Sequence, residues 1–149
     1  MGFTPTAKVL SGLTEDLTQQ TPAGAPHSIA DIVAHLDFWQ TWALVNIQGD
    51  VQTLPARAAL GWPKPKPWDE LCEHFLVSLE RAQSLCDDDI LLQKPFDPEG
   101  KLGASFSTFS VAEALLDIIV VHNAHHMGQI ILLRRMLNAW PPEGGGMTW

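Results

Sequence analysis

Two imidazoles one helical turn apart are the residues of this chain best placed to do chemistry. They are His122 and His126, in the stretch SVAEALLDIIVVHNAHHMGQIILLRRML from Ser110 to Leu137. Four residues advance an α-helix by about 400°, so the two rings stand about 40° apart, one above the other. Both can then direct a nitrogen at one divalent ion. His125 lies about 100° around the helix from His126 and falls outside such a site. A pair of hydrogen-bonded core histidines would show the same spacing. The setting gives the pair its interest, because neutral imidazoles inside an apolar stripe need partners for their polar nitrogens.

The element that carries them is a long helix, mostly buried. Leu115, Ile118, Ile119, Ile130, Leu133 and Leu137 recur at three- and four-residue spacing, and neither Gly nor Pro intervenes before Gly128. Ser110 and Glu113 form a capping box at its start. Arg134 and Arg135 suit the negative pole of the helix dipole near its end.

Three further helices can supply partners. The first spans Thr4 or Pro5 to Gln20, with Val9, Leu10, Leu13 and Leu17 on its core face, and a Thr21–Pro26 stretch stops it. Ser28, with Asp31 three residues on, caps a second helix carrying Ile29, Ile32, Val33, Leu36, Trp39, Ala43 and Ile47, which ends at Gly49. Residues 50–67 form a connector with a Pro63-Lys-Pro-Lys-Pro67 run. The third helix runs from Trp68 to Cys86 with Leu71, Phe75, Leu79 and Ala82 on one face. The segment from Asp87 to Phe109 is either irregular or a short hairpin, Leu91–Phe96 against Lys101–Phe106 about Pro98-Glu99-Gly100. Pro141-Pro142 and the three glycines 144–146 end the last helix by Asn138, and the closing Met147-Thr148-Trp149 can fold back over the bundle. Residues 1–149 thus read as one all-α domain, an antiparallel four-helix bundle.

Bundles build metal sites between facing helices, so a third ligand should come from another helix. His35, one turn before Trp39 in DIVAHLDFWQTW, is the histidine beside an apolar stripe there. A lone histidine at such a position is more often structural, and both readings stand on the residues alone. His74, among Glu70, Glu73 and Leu71, reads as surface. Phe38, Trp39 and Trp42 can wall a cavity, although helical aromatics are more often core. Gln129 and Asn123 are conceivable partners for imidazole N–H groups, with Asn123 a candidate for solvent instead.

A net charge of −8 and a pI near 5.0 argue against nucleic acid and against an anionic membrane surface. No apolar run approaches the ~20 residues of a membrane span, and the first residues do not read as a leader. Met1-Gly2 with Thr6 fits a bare myristoylation pattern without the polybasic second anchor. Cys72 and Cys86 share a helix about 21 Å apart, too far to bridge, which points to reduced thiols and a cytoplasmic setting.

The chain resembles the DinB/YfiT-like metalloenzyme family over most of its length. The likeness is carried by His-Leu-Asp-Phe-Trp-Gln (35–40), by His-Asn-Ala-His-His-Met-Gly-Gln-Ile (122–130) with Leu133-Arg134-Arg135, and by the tail at 139–149. It implies a four-helix bundle whose His35, His122 and His126 hold a divalent ion, nickel or zinc. It further implies a low-molecular-weight thiol as cosubstrate, in transfer or isomerisation on a small electrophilic molecule, and a homodimer. A three-histidine site with an open position polarises an electrophile or acidifies a bound thiol, whereas a closed site is structural. The alternative is a non-catalytic metal-binding or structural bundle.

Overall fold

In the computed structural model, the described residues run from Thr4 to Gly145; Met1–Gly2 and the Met147–Trp149 fold-back lie outside them. The described residues are helical and contain no strand. The order is α1 (Thr6–Leu10), α2 (Glu15–Thr18), α3 (Ile29–Ile47), a 3₁₀ turn (Ala58–Gly61), α4 (Trp68–Leu85), α5 (Asp89–Leu92) and α6 (Val111–Ala114). A π-helical stretch (Leu115–Val121) then leads without a break into α7 (His122–Met136).

The chain is built around α3. The Ser28 hydroxyl accepts from the Asp31 amide at 3.1 Å, and the Asp31 carboxylate accepts from the Ser28 amide at 2.9 Å, so the predicted capping box forms. Past this cap the helix is buried on nearly every face, with Ile29, Val33, Leu36 and Ala43 fully shielded. It packs against α4, α7, the π stretch and the 3₁₀ turn. A second capping box, Ser110 with Glu113, starts the last helical run. Asn138, in the left-handed region at φ 56, follows its end.

One core cluster gathers Val9, Leu10, Leu13, Leu36, Leu71, Phe75, Ile130 and Leu133. A second forms around Trp42, Phe96, Leu102, Leu115 and Ile119. A polar chain joins three helices: Gln40 Nε2 donates to the Phe75 carbonyl at 2.9 Å and to Ser78 Oγ at 2.6 Å, and Gln40 Oε1 accepts from Asn123 Nδ2 at 3.0 Å.

One expectation fails, and of the two alternatives for Asp87–Phe109 the irregular one holds, each for a local reason. The first helix is broken into α1 and α2, because Gly12 turns left-handed at φ 70 and Thr14 caps a new start through the Leu17 amide. The break frees the Val9 and Ser11 carbonyls, and both accept from the guanidinium of buried Arg134, which also donates to Ala139 O. Arg134, in the last turn of α7 as expected, is also an internal clamp on the N-terminal turn. The hairpin is absent too. Leu91 and Leu92 lie in α5, whose start is capped by Asp88. The Asp97 carboxylate takes the Lys101 and Leu102 amides at 2.8 Å each, so those amides cannot join a ladder. Pairing there reduces to one isolated bridge, Pro95 with Ser110.

Candidate metal centre

His35 from α3 meets His122 and His126 from α7. Each of the three offers a ring nitrogen, and these atoms all lie within 4.8 Å of one another. The centroids of His35 and each of the other two are 5.0 Å apart, and those of His122 and His126 4.7 Å. His35 and His126 are buried, with His122 half-buried between them. His125 is exposed and outside the group, although its ring neighbours that of His126.

The outer nitrogens fix which atoms face inward. His35 Nδ1 sits 2.6 Å from the Gly61 carbonyl, which can only accept, so Nδ1 carries the proton. His126 Nδ1 donates to Gln129 Oε1 at 2.6 Å, while Gln129 Nε2 donates to His125 Nε2 at 3.3 Å. His122 turns its Nε2 toward His35. In their neutral forms His35 and His126 thus present a bare Nε2 to the group.

His35 Nε2 and His122 Nε2 stand 3.1 Å apart. A hydrogen bond at that distance needs a proton on one of them, which a neutral His122 supplies only as its Nε2–H tautomer and a bound cation would replace. Burial is the main cause lowering the pKa of all three rings, reinforced for His122 by its neighbours His126 and His35, which bring it down to about 4. Two lone pairs facing each other lack a shared positive charge. Two nitrogens about 2.1 Å from one ion and roughly 90–110° apart would be about 3.0–3.4 Å from each other. The His35–His122 spacing is therefore that of two ligands of one divalent ion, and the outer nitrogens of His35 and His126 already have the carbonyl or amide acceptor that orients a ligating imidazole.

The connector, which read as a spacer in the sequence, supplies the enclosure. Trp62 stacks on His35 with centroids 3.9 Å apart, and His27 stacks on the other face of the same indole at 3.9 Å. Trp39 meets His35 edge-on at 6.4 Å. Gly61 has no room for a side chain, since a Cβ there would lie 2.9 Å from Trp39 Nε1. Gly61, Trp62 and His27 escaped the sequence reading because their roles depend on where a loop folds back. The Trp62-Pro63 step after the glycine was the available signal.

Other anticipated residues go elsewhere. Trp42 is a core side chain with its Nε1 on the Gln52 carbonyl at 2.9 Å. Phe38 packs on Trp39 and, with Trp42, lines a cavity of about 250 Å³ on another side of α3. Asn123 is buried and serves the Gln40 chain rather than an imidazole or solvent. His74 is exposed but not idle, with Nδ1 2.7 Å from the Asp37 carboxylate. No described helix is long and apolar enough to cross a membrane.

A family model described as the DinB superfamily matches residues 4–130. No curated protein and no solved structure matches the chain.

Proposed function

The chain belongs to the DinB superfamily, and on that premise we propose that His35, His122 and His126 bind one divalent metal ion, nickel or zinc, at a site that acts on a small electrophilic molecule with a low-molecular-weight thiol. The observation that carries the metal reading is the 3.1 Å approach of the His35 and His122 Nε2 atoms beside His126, with the other nitrogens of His35 and His126 already on acceptors. A three-nitrogen ion with an open position supplies Lewis acidity and lowers the pKa of a thiol or water bound to it.

The chain's own residues do the rest. Gly61 and Gln129 hold the Nδ1 protons of His35 and His126, which keeps their Nε2 lone pairs pointed inward. Burial keeps the rings neutral and available at neutral pH. Trp62 and Trp39 shield the His35 side from water. The proposal takes residues 1–149 as one domain. It reads α3, α4, the last helical run and the broken N-terminal segment as an antiparallel four-helix bundle. It adds a homodimer in a cytoplasmic setting, and a monomer by light scattering at micromolar concentration would remove the dimer.

A second reading keeps one observation in its favour. Neither the cavity of about 250 Å³ beside α3 nor the larger one, of about 560 Å³, between α4 and the last helical run is walled by any of the three histidines. A non-catalytic metal-binding or structural protein would look the same. Metal analysis of protein made without a histidine tag or nickel column, followed by a thiol-transfer screen over small electrophiles, separates these readings. One ion per chain with turnover supports the enzyme; one ion without turnover across the screen supports the second reading; no ion overturns the metal site and leaves only a structural bundle.

A further inference from the structure

The histidine left outside the metal group has a task of its own. Side chains of a helix lean toward its N-terminus, so that of Gln129 lies over the preceding turn, with His126 three residues back and His125 four. Its amide bridges the two rings. Oε1 accepts from His126 Nδ1 at 2.6 Å, and Nε2 donates to His125 Nε2 at 3.3 Å. The two imidazoles also meet edge-on, with centroids 4.9 Å apart. His126 is buried, whereas His125 and Gln129 are exposed.

A primary amide has two ends of similar shape and opposite hydrogen-bonding sense, so this bridge has two self-consistent settings. In the one observed, His126 donates from Nδ1 and keeps a lone pair at Nε2 for the group it forms with His35 and His122. In the reverse setting, Gln129 Nε2 would donate to His126 Nδ1. The ring proton of a neutral His126 would then sit on Nε2, where an ion needs the lone pair. The far end of the amide decides between the two. Solvent can meet an exposed carbonyl or an exposed N–H₂ and does not choose. A lone pair on His125 Nε2 does choose, because it can receive only the N–H₂ end.

We propose that His125 is a positioning residue for His126: by accepting from Gln129 Nε2, it fixes the amide so that His126 keeps its proton on Nδ1 and its Nε2 free to ligate. The consequence for metal affinity rests on the three-histidine reading above, whereas the consequence for the His126 proton does not.

The test is made on the full chain, with zinc as the probe metal. In metal-free protein, ring-nitrogen chemical shifts should place the His126 proton on Nδ1. They should show it divided between the two nitrogens in His125→Phe, which keeps a ring beside His126 and has no acceptor. Zinc affinity, measured by competition with a chelator, should fall about 2- to 10-fold in that variant, the worth of one net hydrogen bond. His125→Gln, whose carbonyl can take the same N–H₂, should restore both readouts. In a Gln129→Leu background, His125→Phe should change neither any further. Position 125 is exposed, so none of its variants enters the core. An unmoved His126 proton with unchanged zinc affinity in His125→Phe would overturn the proposal. So would an equal loss with and without Gln129, which would assign the effect to the ring contact alone. A wild type that takes up no zinc, yet whose His126 proton follows the residue at 125, would uphold the positioning and overturn the metal reading instead.

Discussion

The two sides of α7 treat buried polarity in opposite ways. Toward α3, the outer nitrogens of His35 and His126 have acceptors, and what remains is a convergence of three rings that one cation would satisfy together. Toward α4, an otherwise apolar wall keeps a single acceptor, Asn123 Oδ1, unpaired among the described residues, because a chain of amides beginning at a carbonyl forces it to be so. Position His122 serves the first side and its neighbour Asn123 the second. An unsatisfied group is thus most informative when the orientation of everything behind it is fixed. Several nitrogens meeting at one point suit a cation, whereas one oxygen closed off among its neighbours is the cost of the chain that orients it.

The largest expected effect is on the first side. His126→Ala should lose one-to-one metal uptake and any thiol-transfer turnover, and retain its helical circular dichroism, because the core rests on Phe75, Leu36, Ile130 and their neighbours rather than on an ion. Outright unfolding of the variant would make the ion structural. Unchanged metal uptake would remove His126 from the site.

A smaller loss should follow from disturbing the acceptors while keeping the ligands. Gln129→Leu strips His126 Nδ1 of its partner, and Gly61→Ala forces a methyl against Trp39 and moves the carbonyl that orients His35. Each should weaken metal binding by about 10- to 100-fold, as measured by competition with a chelator. Wild-type affinity in both would show that the outer hydrogen bonds do not set the ligand geometry.

The protonation of the site gives the next effect. His122 is held at about 4 and the other two rings are also lowered, chiefly by burial, whereas an unfolded imidazole titrates near 6.5. The folded pKa is the lower one, so between these values the unfolded chain binds more protons. Metal-free protein should therefore be at full stability above about pH 6.5 and lose stability as the pH falls toward 4. The slope is at most about 1.4 kcal/mol per pH unit for each ring, and less for half-buried ones. Urea midpoints measured across this window should fall less steeply for His122→Gln than for the wild type. An identical slope would mean that His122 is not depressed.

How much of this could be read from the sequence differs between the two sides for a physical reason. Periodicity placed α3, α4 and the last helical run, since apolar spacing and the Ser28 and Ser110 caps are local signals. The pairing of His122 with His126 follows from helical geometry alone. Bringing His35 to them needed a tertiary contact, which the motif resemblance supplied and periodicity could not. Gly12 gave a weak hint that the first helix breaks, but nothing local revealed that Arg134 would seal the break. Nor could any spacing rule find Trp62 or Gly61, whose loop reaches His35 from 26 residues away. The orphan on Asn123 was the least legible, because it is settled by the Phe75 carbonyl two helices off.

The smallest effect separates the two sides most cleanly. Gly128 lies in the middle of α7, exposed, on the wall that faces α4, and a Cβ built there meets nothing within 4 Å. Glycine in a helix interior is about 0.8–1.0 kcal/mol worse than alanine, partly through the freedom it gives the unfolded chain. Gly128→Ala should therefore raise stability by about 0.5–1 kcal/mol, a rise of roughly 1–4 °C in Tm for a chain of this size. Metal affinity should not move, because His122 and His126 lie on the other side of the helix and no acceptor of theirs is touched. A drop in Tm would mean that the space above Gly128 is filled in solution, by a ligand or by another copy of the chain. A rise in Tm with weakened metal binding would mean that the two sides of α7 are coupled, and that the contrast between them is one of chemistry but not of energetics.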